Sequence, residues 1–106
     1  MTSTRLCAFA DLVDGAAQRF DVDGVAVCVV RLGDDVYAIG DTCSHAEVSL
    51  SEGEVYVDDR EVECPKHGST FSLETGEPMS LPAVRPVPVF VARRDGDDVV
   101  VEVTAS

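Results

Sequence analysis

The sequence is poor in positive charge, in histidine and in long apolar runs, and each shortage removes a class of function. Eight Lys and Arg stand against 20 Asp and Glu in 106 residues, a formal net charge of −12 at pH 7. Such a surface repels phosphate backbones and anionic lipid, so neither nucleic acid nor membrane is expected as a partner. A basic protein surface is the better partner, because acidic charge steers the encounter; the alternative is that the acidity serves solubility alone. The longest uninterrupted apolar run, Val25 to Val30, falls far short of the roughly 20 residues a membrane-spanning helix needs. No basic, apolar leader opens the sequence as given, and a cytoplasmic location is expected. No G-x-G-x-x-G is present for a bound flavin or nicotinamide. Two histidines cannot serve both the motifs described below and an oxygenase-type centre of two His and a carboxylate, so the chain is not expected to be an enzyme in its own right.

What is present reads as all-β. With 45% hydrophobic residues in a chain of this length, one domain spanning 1–106 is expected. Runs rich in Val and Phe predict strands at Val25–Leu32, Val36–Ile39, Glu54–Val57, Glu61–Cys64, Val87–Ala92 and Val99–Val103. Asp23-Gly24, Gly33-Asp34-Asp35, Asp58-Asp59 and Asp95-Gly96-Asp97 supply the turns. A short helical turn is expected over Phe9–Gly15, with Asp11 as its cap. Pro86 and Pro88 remove two N–H groups from one side of their segment, which places it at a sheet edge or at the start of a strand. Between Asp41 and Ala83 the strands thin out and Gly, Ser, Pro, Cys and His gather. That middle stretch, about 42–83, reads as a loop-rich insert in an antiparallel β base made from both chain ends.

The chemistry lies in Cys43-Ser44-His45 and Cys64-Pro65-Lys66-His67, a C-x-H followed after 18 residues by a C-x-x-H. Two thiols and two imidazoles form a metal-ligand set, and both histidines of the chain fall in these two motifs. A tetrahedral zinc site usually groups like ligands in pairs. Here each motif supplies one sulfur and one nitrogen, which suits a dinuclear centre spanned by both. Cys7 and Cys28 have no histidine beside them and are expected to be buried free thiols.

These two motifs, with Gly68-Ser69, Thr75-Gly76 and Leu81-Pro82-Ala83 after them, resemble the Rieske-type [2Fe-2S] ferredoxins, in particular the ferredoxin components of bacterial aromatic-ring dioxygenases. The resemblance implies a Rieske fold, an antiparallel β-sandwich base with a small cluster-binding subdomain. It implies one [2Fe-2S] cluster, with Cys43 and Cys64 on the inner iron, His45 and His67 on the outer one, and Leu81-Pro82-Ala83 as a covering loop. A hydroxyl at Ser69 is a candidate donor to the cluster. The implied function is one-electron transfer from a flavin-dependent ferredoxin reductase to a terminal oxygenase. A similar ferredoxin could also serve iron-sulfur cluster assembly. A monomer is expected.

The related proteins of respiratory complexes carry a disulfide between the cluster loops and a tyrosine hydroxyl on a cluster sulfur. Val48, Lys66 and Phe71 stand at those positions here, so a potential toward the lower part of the roughly −150 to +300 mV Rieske range is expected. Leu50 is expected either to shield the cluster or to lie exposed as a partner contact. The remaining acidic cluster, Glu52, Glu54, Asp58, Asp59, Glu61 and Glu63, reads as a solvated hairpin, with a docking patch as the alternative.

Overall fold

The Val-rich run Val25–Leu32 forms strand β3 with the bounds expected from the sequence, and four consecutive residues in it, Val27 to Val30, are fully buried. Burial of neighbouring residues means that both faces of the strand are covered, because successive side chains point to opposite sides. A computed structural model of the chain describes residues 2–22, 24–42, 48–66, 68–79 and 86–103 and shows what covers each face.

The strands are β1 (Thr2–Ala8), β2 (Ala17–Val22), β3, β4 (Asp35–Gly40), β5 (Val55–Tyr56), β6 (Glu61–Glu63), β7 (Thr70–Ser72), β8 (Val89–Asp95) and β9 (Asp98–Val103). Six of them form an antiparallel sheet in the order β1-β9-β8-β4-β3-β2, and β5-β6-β7 form a second, smaller one. The large sheet is joined at its middle by two residue pairs between β4 and β8, Ala38 with Phe90 and Ile39 with Val89. It therefore divides into two three-stranded leaves. Val27 and Val29 of one leaf share a buried cluster with Val99 and Val101 of the other, so the leaves face each other as the expected β-sandwich base. The other face of the same leaf, through Cys28, Val30 and Ile39, is buried with Val62, Phe71 and Leu73 of the small sheet. The leaf β2-β3-β4 is thus the wall shared by two cores.

The sequence expectations fare unevenly at the margins. The segment after Pro86 and Pro88 becomes a strand only at Val89, where backbone N–H groups are available again. Pro88 still contributes its carbonyl, which accepts the Gly40 N–H at 2.7 Å. The expected helical turn over Phe9–Gly15 is corrected to a 3₁₀ turn over Phe9–Asp11, and Asp11 lies inside it instead of capping it. Three residues are too few for an α-helical hydrogen bond to repeat. Phe9 is buried instead between two guanidinium groups, Arg31 at 4.2 Å and Arg94 at 4.1 Å from its ring centre. This cation–π clamp packs the turn after β1 against the base. Among the described residues no helix is long and apolar enough to cross a membrane.

Candidate metal centre

Of the four expected ligands, the described residues include Cys64. Cys43, His45 and His67 lie outside them, as do Leu81, Pro82 and Ala83. Among the described residues no three His, Cys, Asp or Glu side chains converge as a metal site. What the structure supplies is the scaffold on either side of the two motifs.

The second motif sits between β6 and β7. The strand expected over Glu61–Cys64 stops at Glu63, and Cys64 begins the turn. The Cys64 N–H donates to the Ser69 carbonyl at 2.6 Å, and the Gly68 N–H donates to the Cys64 carbonyl at 3.0 Å. Gly68 has φ of +75°, a left-handed conformation that costs glycine little, and it turns the chain back into β7. The result is a closed hairpin with Cys64 at its root. Pro65 and Lys66 are exposed at the tip, whereas Cys64 and Ser69 are fully buried. Lys66 is the only lysine of the sequence.

The thiol of Cys64 belongs to the same buried cluster as Leu50, Val62 and Phe71. A soft donor rooted in an apolar pocket beside an exposed tip fits an iron-sulfur ligand, which needs low water access on the sulfur side and an open edge on the other. Leu50 has no exposed surface and packs in that cluster with Cys64, which overturns the expectation that it contacts a partner. Val48 is half-buried against the same cluster and Phe71 is fully buried.

The first motif is framed by Asp41, Thr42, Ser49 and Ser51. Thr42 and Ser49 form an antiparallel bridge, so the chain leaves for residues 43–47 and returns at one rung. Asp41, nearly fully buried, accepts hydrogen bonds from the Ser49 hydroxyl and from the Ser51 N–H, the latter at 2.9 Å. Behind this rung, a 3₁₀ turn over Leu50–Glu52 leads to Gly53. A Cβ on Gly53 would lie 1.6 Å from the Glu63 carbonyl oxygen, and the Glu63 N–H donates to the Glu54 carbonyl at 2.8 Å. The return limb of the first motif therefore lies directly against the strand that leads into Cys64. Asp41 and Gly53 were missed in the sequence reading. The hydroxyls of Ser49 and Ser51, following a lone acid just before Cys43, were the available signal for Asp41.

The other titratable groups are structural. Cys28 is buried and forms no disulfide. Burial, and then the Asp41 charge, push its thiol up to about 12. Cys7 is half-buried and not fully buried as expected. Its thiol is also raised, first by burial and then by the Asp11 charge. The Tyr56 hydroxyl donates to Glu63 at 2.6 Å, and that bond keeps the phenol protonated up to about 12. Of the acidic cluster, Glu52, Glu54, Asp58 and Asp59 are exposed, whereas Glu61 and Glu63 are half-buried.

A Rieske [2Fe-2S] domain profile matches residues 2–91. The chain is 40% identical over 102 residues to the biphenyl 2,3-dioxygenase ferredoxin component of Rhodococcus jostii (strain RHA1), covering 96% of this chain and 94% of that one. It superposes with a TM-score of 0.92 on the ferredoxin of carbazole 1,9a-dioxygenase from Nocardioides aromaticivorans IC177, at 42% identity and over 95% of this chain and 97% of that one. A ferredoxin-sized chain from a complex of reduced oxygenase and oxidised ferredoxin in carbazole 1,9a-dioxygenase matches at 38% identity and a TM-score of 0.86, covering 93% of this chain and 91% of that one. Given a profile that spans most of its length and relatives matched almost end to end, the chain belongs to the Rieske [2Fe-2S] domain family.

Proposed function

We propose that this chain is a one-electron carrier that takes an electron from a flavin-dependent reductase and passes it to the terminal oxygenase of a ring-hydroxylating dioxygenase. The observation that carries the proposal is the near-complete overlap, 96% of this chain and 94% of its relative, with a protein that is itself a dioxygenase ferredoxin component. We assign Cys43 and Cys64 to the inner iron and His45 and His67 to the outer iron. The stretch 42–83 then serves as the cluster-binding part of a single domain over 1–106. When bound, the cluster supplies one-electron exchange with the two partners.

The chain's own residues do the rest. The buried root at Cys64, with Leu50 and Phe71, keeps water from the sulfur side. Pro65 and Lys66, just before His67 in the sequence, are exposed and accessible to a partner. The acidic surface steers the encounter with a basic docking face, so the rate of electron transfer should fall as salt rises.

The test combines metal analysis with single-turnover transfer. Purified protein should hold about two irons and two acid-labile sulfides per chain. After chemical reduction it should reduce the Rieske centre of a biphenyl-type terminal oxygenase, with a rate that declines between low and high ionic strength. A colourless protein holding zinc, or a reduced protein that leaves the oxygenase oxidised, would overturn the assignment.

A further inference from the structure

We propose that Asp41 is the positioning residue of the first ligand stretch: its buried carboxylate fixes the two ends of residues 43–47 against each other and so sets how Cys43 and His45 are presented. The inference rests on reading Cys43 and His45 as ligands, and it concerns how this chain holds them.

Asp41 and Ser69 are the buried polar side chains among the described residues, and Asp41 is only 2% exposed. Four hydrogen bonds converge on it. Its Oδ2 accepts from the Ser49 hydroxyl and its Oδ1 from the Ser51 N–H at 2.9 Å. Its carbonyl accepts the Leu50 N–H at 2.6 Å, and its own N–H donates to the Ala26 carbonyl at 3.0 Å. The Ser49 and Ser51 hydroxyls lie 2.7 Å apart, which joins the two residues that the carboxylate holds. Asp41 thus ties the outgoing limb to strand β3 and to the returning limb at once. Among the described residues the cation paired with it is the half-exposed Arg19, whose Nε lies 3.8 Å from Oδ2.

A carboxylate at this depth is an expensive way to hold a loop, because a charge taken out of water must be repaid by its partners. Apolar packing would serve fold stability alone. The acid instead offers two acceptors on one rigid group, aimed at both a backbone N–H and a hydroxyl of the returning limb. An alanine would leave the half-buried Ser51 N–H without its acceptor and the Ser49 hydroxyl with the Ser51 hydroxyl alone. The ends of the ligand stretch would then be held by backbone bonds alone and would loosen, while the β base kept its own core. The charge has a second effect that packing alone lacks. Fixed two residues from Cys43, it opposes the arrival of an electron and lowers the reduction potential.

The experiment measures release of iron to a chelator and the reduction potential in the cluster-loaded protein. Asp41→Ala is expected to release iron about tenfold faster than the wild type. Val99→Ala, which thins the base core away from the stretch, should speed release by no more than about threefold. Asp41→Asn keeps an acceptor and should release iron within about threefold of the wild type, yet with its potential shifted upward. Release from Asp41→Ala no faster than from Val99→Ala, or a potential unmoved in Asp41→Asn, overturns the proposal. If Asp41→Ala is not recovered folded, Ser49→Ala replaces it, removing only the hydroxyl tie. Faster release supports the proposal and unchanged release overturns it. Cys43→Ser separates the two readings. A native spectrum in that variant sinks the ligand assignment, whereas a lost cluster there beside an unaltered Asp41→Ala sinks the positioning role alone.

Discussion

The two sheets of this molecule are held together by different means. The base is built on strands of six to eight residues from β1 to β4 and in β8 and β9, and its buried cluster of Phe9, Leu12, Val22, Val27, Val29, Ala38, Phe90, Val99 and Val101 is wholly apolar. The small sheet has strands of two, three and three residues. A sheet so short does not stand alone in water. It relies on its apolar face against β3 and on loop hydrogen bonds such as Leu73 N–H to the Arg60 carbonyl at 2.9 Å and Met79 N–H to the Thr70 carbonyl at 2.7 Å. The comparison teaches a division of labour. The base carries its own apolar core and long ladders, whereas the small sheet depends on docking and, in the proposed state, gains metal ligation as well.

Removing the metal should break the comparison most visibly. Iron stripped by a chelator should cost the amides of Val62, Phe71 and Leu73 about a hundredfold or more in hydrogen-exchange protection, while those of Val27–Val30 and Val99–Val101 keep theirs. Simultaneous loss in both sheets would show a single cooperative unit instead. Next in size, Phe71→Ala should cost roughly 3–5 kcal/mol in the metal-loaded protein, against roughly 2 kcal/mol for Val99→Ala in the base, read from denaturant midpoints.

Gly53→Ala probes the seam between the ligand motifs. Its new Cβ would meet the Glu63 carbonyl oxygen at 1.6 Å, so the limbs must separate. A loss of about 1–3 kcal/mol is expected, with faster iron release, whereas the same change at exposed Gly24, which has open space but a φ of +83°, should leave release unaltered. The smallest effect concerns the thiol in the shared wall. Cys28 keeps its proton up to about 12 in the folded chain against an ordinary 9.0. Its contribution to stability is complete below pH 9 and is lost as pH rises toward 12. Urea midpoints of the metal-free wild type should therefore fall more steeply above pH 9 than those of Cys28→Ala. In the native protein an alkylating reagent at pH 8 should modify Cys7 before Cys28.

How much of this was legible in the sequence follows from how locally each feature is determined. β3 was read with its bounds intact because a strand covered on both faces is apolar throughout. β2 and the opening of β1 were missed. Thr2–Ala8 opens with polar residues, and β2 has mostly exposed or half-buried positions, as an edge strand does. β7, at Thr70–Ser72, owes its extended form to pairing with β6, which no window of three residues reveals. At the site, the spacing of cysteine and histidine made the motifs plain, and Gly68 announced the turn beside Cys64. Asp41 served in the sequence only to mark where the strands thin out. Its role depends on Ser49 and Ser51, eight and ten positions away, being brought beneath it by the fold.

Lys66 carries a consequence for how the protein can be handled. It stands exposed one residue before His67, and every other side-chain cation in the sequence is an arginine. An amine-directed fluorophore or tether can therefore attach to one side chain, apart from the terminal amine, and that side chain marks the end of the molecule where electrons are proposed to leave.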